Sequence, residues 1–185
     1  AEAVGVAEMA LSGHSNKKIV KELLAAGLTA VGISGIDGGL LRCRKKPHPT
    51  ADLGLVGEIV SVNASLLGIL LAAGLVPVIS PISLGLDGLT YNVNADEAAG
   101  AVARALDAES LDFVSNVPGV LRGNTLVRAL TWDEAGALIE SGVITGGMLP
   151  KVETALAAVD QGVGSVRIVD LQGLAEGGGT TFRRA

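Results

Sequence analysis

Residues Tyr91 to Gly100 read YNVNADEAAG, and the change of period inside that stretch decides how the chain folds. Tyr91 to Val93 has the apolar alternation of a short strand, and Ala95 to Leu106 has the spacing of an alanine-rich helix. Asn94 stands at the junction as a helix cap, Asp96 lies in the positive first turn, and Glu97 follows three residues after the cap. Capping accounts for these three residues. It leaves Asn92 unexplained, although a strand puts Asn92 and Asn94 on one side. Two amides at the carboxyl end of a strand suit recognition of a small polar ligand.

The same alternation of strand and helix extends in both directions. Upstream, the pattern predicts a helix over Asn16 to Ala26 closed by Gly27, and a buried strand from Thr29 to Ser34. Gly35 to Gly39 has turn chemistry, with extended segments over Leu40 to Lys46 and Leu55 to Val62. A helix over Ser65 to Ala73 and a strand over Leu75 to Ser80 follow. Downstream come a strand at Leu111 to Ser115 and a capping-box helix from Thr131 to about Ser141. Beyond these lie a helix over Met148 to Gln161 and a buried strand at Ser165 to Val169. Strands alternating with such helices predict an α/β fold with a mainly parallel central sheet covered on both faces. Ligands then bind beyond the carboxyl ends of the strands, in the turns after Ser34, Ser80, Val93 and Ser115.

The totals are consistent with one domain. The 185 residues are 49% hydrophobic and 18% charged, which excludes a disordered chain. Aromatics supply only 2%, so Ala, Val, Leu and Ile must fill the core. A net charge of −5 gives no footprint for nucleic acid. Cys43 is the single cysteine, which rules out an internal disulfide and suits a reducing, cytoplasmic setting. The longest apolar stretch, Ala64 to Leu84, is interrupted by Gly74, Pro77 and Pro81, so no membrane span is expected.

Several other clusters each have a plain alternative. Thr145 to Lys151, TGGMLPK, is a glycine-flanked helix start where free N–H groups and a lysine could receive phosphate, or simply a helix start. Ser115 to Leu121, SNVPGVL, directly follows an apolar strand and could shape a nucleotide pocket or be an ordinary loop. Asp37, between glycines, suits the turn it occupies better than a ligand. His14 and His48 lack metal-ligand spacing and belong on the surface. Arg42, Arg44, Lys45 and Lys46 read as a solvated face. No serine, histidine and acid set suggests a hydrolase.

The order of YNVNADEAAG, SNVPGVL and GGMLPKVETALAA closely resembles the amino-acid kinase family. The earlier segments SNKKIVKEL, AVGISGIDGGLL and LGLVGEIVSVN agree, so the likeness runs from about Ala1 to Val169. It implies a three-layer α/β/α sandwich in a single domain over residues 1–185. It also implies transfer of the ATP γ-phosphate, with Mg²⁺, to the side-chain carboxylate of N-acetyl-L-glutamate in arginine biosynthesis. Asn92 matches the asparagine that binds the acylated amino acid, with Asn94 beside it. Asp96 matches the aspartate that organises the catalytic lysines, and Lys151 the lysine that stabilises the phosphoryl group in flight. Ser115, Asn116, Val117, Gly119, Val120 and Leu121 match the ATP-site lining, as do Val143, Ile144, Thr145, Gly147 and Met148. A homodimer or higher homo-oligomer is the associated expectation.

The resemblance has departures. The family begins with a lysine-bearing strand, a glycine-rich turn, a glycine pair and an arginine that grips the substrate, none of which has a counterpart here. The expectation is therefore an N-terminally incomplete domain with its first strands missing. Asn116 stands where many members have Asp, as in relatives that phosphorylate carrier-protein-linked α-aminoadipate in lysine biosynthesis. That activity, and a truncated non-catalytic nucleotide-binding remnant, are the alternatives. The segment from Asp170 to Gly179 looks shortened ahead of GGGTTFRRA.

Overall fold

A computed structural model of the chain describes residues 2–184. It forms two compact units, Ala1–Ala105 and Leu106–Ala185.

The first unit opens with α1 (Glu2–Glu8), a π-helical stretch (Met9–Ser15) and α2 (Asn16–Ala25), ended by Gly27 at φ +84°. The π-helical stretch and α2 pack on the parallel pair β1 (Ala30–Ser34) and β4 (Val76–Ser80). The docking is polar at its centre. Buried Asn16 donates Nδ2 to the carbonyls of Ile33 (3.2 Å) and Val78 (2.8 Å), and Lys17 Nζ donates to Gly32 O at 2.9 Å. A Cβ at Gly32 would lie 1.9 Å from Asn16 Oδ1, so only glycine lets the helix approach this closely. The apolar helix α3 (Ala64–Ala72), capped by Asn63, packs on β4.

The remaining strands of this unit close into a small barrel. Around it run β2 (Leu41–Lys45), β3 (Val56–Val62), β6 (Thr90–Val93) and β5 (Ile82–Gly85). Pairing alternates between antiparallel (β2–β3, β5–β6) and parallel (β2–β5, β3–β6). Leu41, Cys43, Ile82, Tyr91 and Val93 fill it. The helix α4 (Ala95–Ala105) leaves the barrel from the end of β6.

The second unit is built on a four-stranded sheet in the order β10 (Ala129–Leu130), β12 (Thr180–Phe182), β11 (Ser165–Val169), β7 (Ser110–Val114). Phe113, Val166, Ile168, Val169 and Phe182 are buried in it. The hairpin β8 (Leu121–Arg122) and β9 (Thr125–Leu126) precedes β10. The helix α5 (Trp132–Glu140) opens with the full capping box between Thr131 and Glu134. Next come α6 (Met148–Asp160), which packs on β11, and the short α7 (Leu171–Glu176) capped by Asp170.

The chain is thus mixed α/β with parallel regions at β1–β4, β7–β11 and β10–β12, as the periodicity implied. The strands of the described residues are divided between separate ladders rather than joined in one. Pro81 marks one division: it follows β4 directly and has no N–H to extend that ladder before β5 begins. Among the described residues no helix is long and apolar enough to cross a membrane.

Candidate active site

Strand β6 and helix α4 set out the first group of residues. Tyr91 and Val93 are buried in the barrel, so alternation leaves Asn92 half-buried on the other side. The Asn92 backbone N–H donates to Leu55 O at 2.9 Å, which fixes this point of β6 to the entry of β3. Asn94 does cap α4: its Oδ1 accepts from the N–H groups of Asp96 (2.9 Å) and Glu97 (3.1 Å). The cap uses Oδ1 and leaves the amide Nδ2 of this exposed side chain out of it. Asp96 is half-buried in the first turn of α4, where the helix dipole favours its negative charge. Glu97 beside it pairs with Lys46 Nζ at 2.5 Å, tying the end of β2 to the same turn.

The turns after β1 and β4 hold structure together. Asp37 Oδ2 accepts from Ser34 N (2.6 Å) and Ser34 Oγ (2.8 Å), the turn role that its neighbouring glycines predict. Ser80 Oγ lies 2.6 Å from Ser12 Oγ. The basic run is spread over ion pairs: Arg44 with Glu58, Lys45 with Asp52 at 2.6 Å, and Lys46 with Glu97. His14 and His48 are exposed. Cys43 is fully buried; burial first, then the charge of Asp87, pushes its thiol up to about 11, against the pull of Arg42.

In the second unit the loop from Ser115 to Leu121 leaves β7 at its carboxyl end. Ser115 N donates to Val169 O at 2.7 Å, continuing the β7–β11 ladder by one residue. Asn116 is exposed and its Oδ1 receives a long bond from Ser115 Oγ at 3.4 Å, while Val117 is half-buried. Gly119 has φ +139°, and Val120 is buried. Leu121 is 40% exposed at the start of β8, so it alone of the two aliphatic side chains offers apolar surface to a ligand.

The stretch from Val143 to Met148 joins α5 to α6. The amides of Val143 and Ile144 both donate to Leu138 O (2.9 and 3.0 Å), which closes the end of α5 and buries Ile144. Thr145 and Gly147 are exposed, and Gly147 caps α6 without a side-chain bond. Met148 N donates to Thr145 O at 3.2 Å. Lys151, half-buried, projects from the first turn of α6, which packs on β11. The Ser115–Leu121 loop and α6 are thus both tied to β11, one through β7 and one through helix packing. Within the first unit the fold likewise brings Asn92, Asn94 and Asp96 to one strand-to-helix junction.

Two features escaped the sequence reading. Thr180 is fully buried beneath the Ser115–Leu121 loop, bonded to Val120 N at 2.8 Å and to Val127 O at 2.6 Å. A buried threonine behind three glycines, in GGGTTF, was the available signal. The Lys46–Glu97 pair spans 51 positions in sequence and left no local signal.

The sequence pattern of the amino acid kinase family matches residues 1–170. The chain belongs to the amino acid kinase family. An acetylglutamate kinase of Roseiflexus sp. (strain RS-1) is 52% identical to this amino acid kinase over 180 residues, covering 97% of this chain and 69% of that protein. One from Geobacillus stearothermophilus is 50% identical over 181 residues, covering 98% of this chain and 67% of that protein. Among solved structures, that of smu.665 from Streptococcus mutans UA159 superposes with a TM-score of 0.83 at 28% identity. It covers 96% of this chain and 70% of that one.

Proposed function

We propose that this protein transfers the γ-phosphate of ATP to the side-chain carboxylate of N-acetyl-L-glutamate, giving N-acetylglutamyl 5-phosphate and ADP in arginine biosynthesis. The observation that carries this reading is the shared name of relatives 52% and 50% identical to it over nearly its whole length. The acceptor carboxylate is already ionised at neutral pH, so no general base is required. Its oxygen attacks the γ-phosphorus, a new O–P bond forms, and the bond to the β-phosphate oxygen breaks. Catalysis then consists of alignment and charge neutralisation.

The residue roles are those that the family resemblance implies. Asn92 and Asn94 Nδ2 are the amides that would receive the acetylated amino acid at the β6–α4 junction. Asp96 organises the catalytic positive charge, and Lys151 supplies it to the transferring oxygens. The Ser115, Asn116, Val117, Gly119 and Leu121 loop, with Val143, Thr145, Gly147 and Met148, borders ATP; buried Val120 and Ile144 hold those segments in shape. Among the described residues no three or more His, Cys, Asp or Glu side chains converge as a metal cage. Mg²⁺, which would add charge neutralisation, would therefore depend on phosphate oxygens and water for its ligands. We assign the two units to one kinase domain, the first to the acceptor and the second to the nucleotide. The protein is read as a cytoplasmic homodimer or higher homo-oligomer that binds neither nucleic acid nor membrane.

The test is a coupled ADP assay with hydroxylamine present to trap the acyl phosphate as a hydroxamate. N-acetyl-L-glutamate should give both signals. If it gives neither, while carrier-linked α-aminoadipate gives both, the lysine-pathway reading prevails; Asn116 is its motivating residue. If neither acceptor reacts, a non-catalytic nucleotide-binding protein remains. Light scattering of the same sample decides the oligomeric state.

A further inference from the structure

We propose that Thr180 is the positioning residue of the nucleotide loop, setting the conformation in which Ser115 to Leu121 meets ATP. The inference rests on reading that loop as nucleotide-binding. Both ends of the loop are moored to the β11–β12 pair. At the front, Ser115 N donates to Val169 O on β11 at 2.7 Å. At the back, Val120 N donates to the Thr180 hydroxyl on β12 at 2.8 Å, and that hydroxyl passes its own proton to Val127 O at 2.6 Å. Val127 N in turn donates to Val120 O at 2.9 Å, so Val120, Val127 and Thr180 form a closed ring of three bonds. Thr180 has no exposed surface and lies opposite Ile168 in the ladder, next to the Val169 that holds the other mooring.

Steric evidence agrees with the hydrogen bonds. Gly119 adopts φ +139°, a conformation that side chains rarely take, and a Cβ there would lie 2.5 Å from Thr180 Oγ1 and 2.9 Å from Leu126 Cδ1. The loop turns where it does because Thr180 fills the space beneath Gly119 and satisfies the next amide. Thr180 itself is held by the turn before it. Arg167 bonds Asp112 through Nε (2.7 Å) and Nη2 (2.8 Å), and reaches Gly178 O with Nη1 at 3.2 Å. Gly179, at φ +105°, packs on the stem of Arg167. A residue some sixty positions from the loop therefore determines its shape.

The experiment compares Thr180→Val, which keeps the shape and removes the hydroxyl, with Thr180→Ser, which keeps the hydroxyl. Thr180→Val leaves a buried donor and a buried acceptor unpaired, and the KM for ATP should rise roughly tenfold. The KM for N-acetyl-L-glutamate should stay within about twofold, and Thr180→Ser should restore ATP affinity to within about threefold of the parent. A Thr180→Val enzyme that melts earlier but keeps its ATP KM, or whose two KM values rise together, would overturn the inference. If that variant fails to fold, the parent decides: exchange of the Val120 amide should be slow and slower still with saturating ATP. An unchanged rate would overturn the inference equally. A parent that binds no ATP refutes the nucleotide reading and this inference with it, whereas a parent and Thr180→Val that bind ATP alike refute the inference alone.

Discussion

At the scale of single residues, the site was legible where a side chain carries its chemistry in a local pattern. Asn94 is the clearest case, since its Oδ1 caps α4 through the two amides that the N-A-D-E spacing predicts. Gly119 is the reverse: glycine after proline reads as a turn, but the reason it must be glycine lies with Thr180, far along the chain. Gly119→Ala should destabilise the protein by about 2 kcal/mol, through left-handed strain and the clash with Thr180, as measured by the shift in urea midpoint. A change under half that size would mean that the loop relaxes freely. Lys151→Met should lower kcat by roughly 10²- to 10³-fold, because it removes positive charge from the transferring phosphoryl group. Retention of most of the parent's kcat would remove Lys151 from the catalytic set.

Among the elements, long amphipathic helices and apolar strands were the readable ones. The helices over 16–25, 64–72, 95–105, 132–140 and 148–160 all lie within a residue or two of their expected limits. The pieces that were not foreseen are β5, the β8–β9 hairpin, β10, α7 and β12. All are six residues or shorter, and such pieces are stabilised by partners distant in sequence rather than by their own periodicity. The helix over Asn16 to Ala25 was visible as a pattern, yet the π-helical stretch before it, from Met9 to Ser15, was not, because hydrogen-bond register is not written in composition. The capping box of α5 can be tested by acid. Glu134 accepts from Thr131 N at 2.8 Å and Thr131 Oγ1 at 3.1 Å, and these bonds, the backbone one foremost, hold its carboxyl below the ordinary glutamate value. A lowered folded-state value means that the contribution is complete above the unfolded-state value and fades as pH falls through the folded one. Glu134→Gln should therefore unfold more easily than the parent at pH 7, and the gap should shrink progressively in acid below the ordinary glutamate range. A gap independent of pH would show that the carboxylate charge contributes nothing.

For the whole molecule, the division into two units separates the proposed ligands as well. Asn92 and Asn94 belong to the first unit and the Ser115–Leu121 loop to the second. Cys43 is a natural reporter for the first unit: it sits in the same barrel as β6, fully buried, with its thiol pushed up to about 11, so labelling at neutral pH requires opening. N-acetyl-L-glutamate at about 100 times its Kd should slow maleimide labelling of Cys43 roughly a hundredfold. ATP at the same excess should instead slow exchange of the β7 and β11 amides. The opposite assignment of the two ligands would refute the division of labour. Strand β12 has one further consequence, for biogenesis. It is the last described strand to be synthesised, yet it lies inside its sheet, between β10 and β11. On the ribosome the described strands of the first unit are all made while the second unit still lacks an interior one. Until Thr180 and Phe182 leave the exit tunnel, β10 and β11 have a gap between them, and Val120 has no hydroxyl to bind. How soon Thr180 and Phe182 emerge then governs how long that unfinished sheet is exposed to chaperones and aggregation.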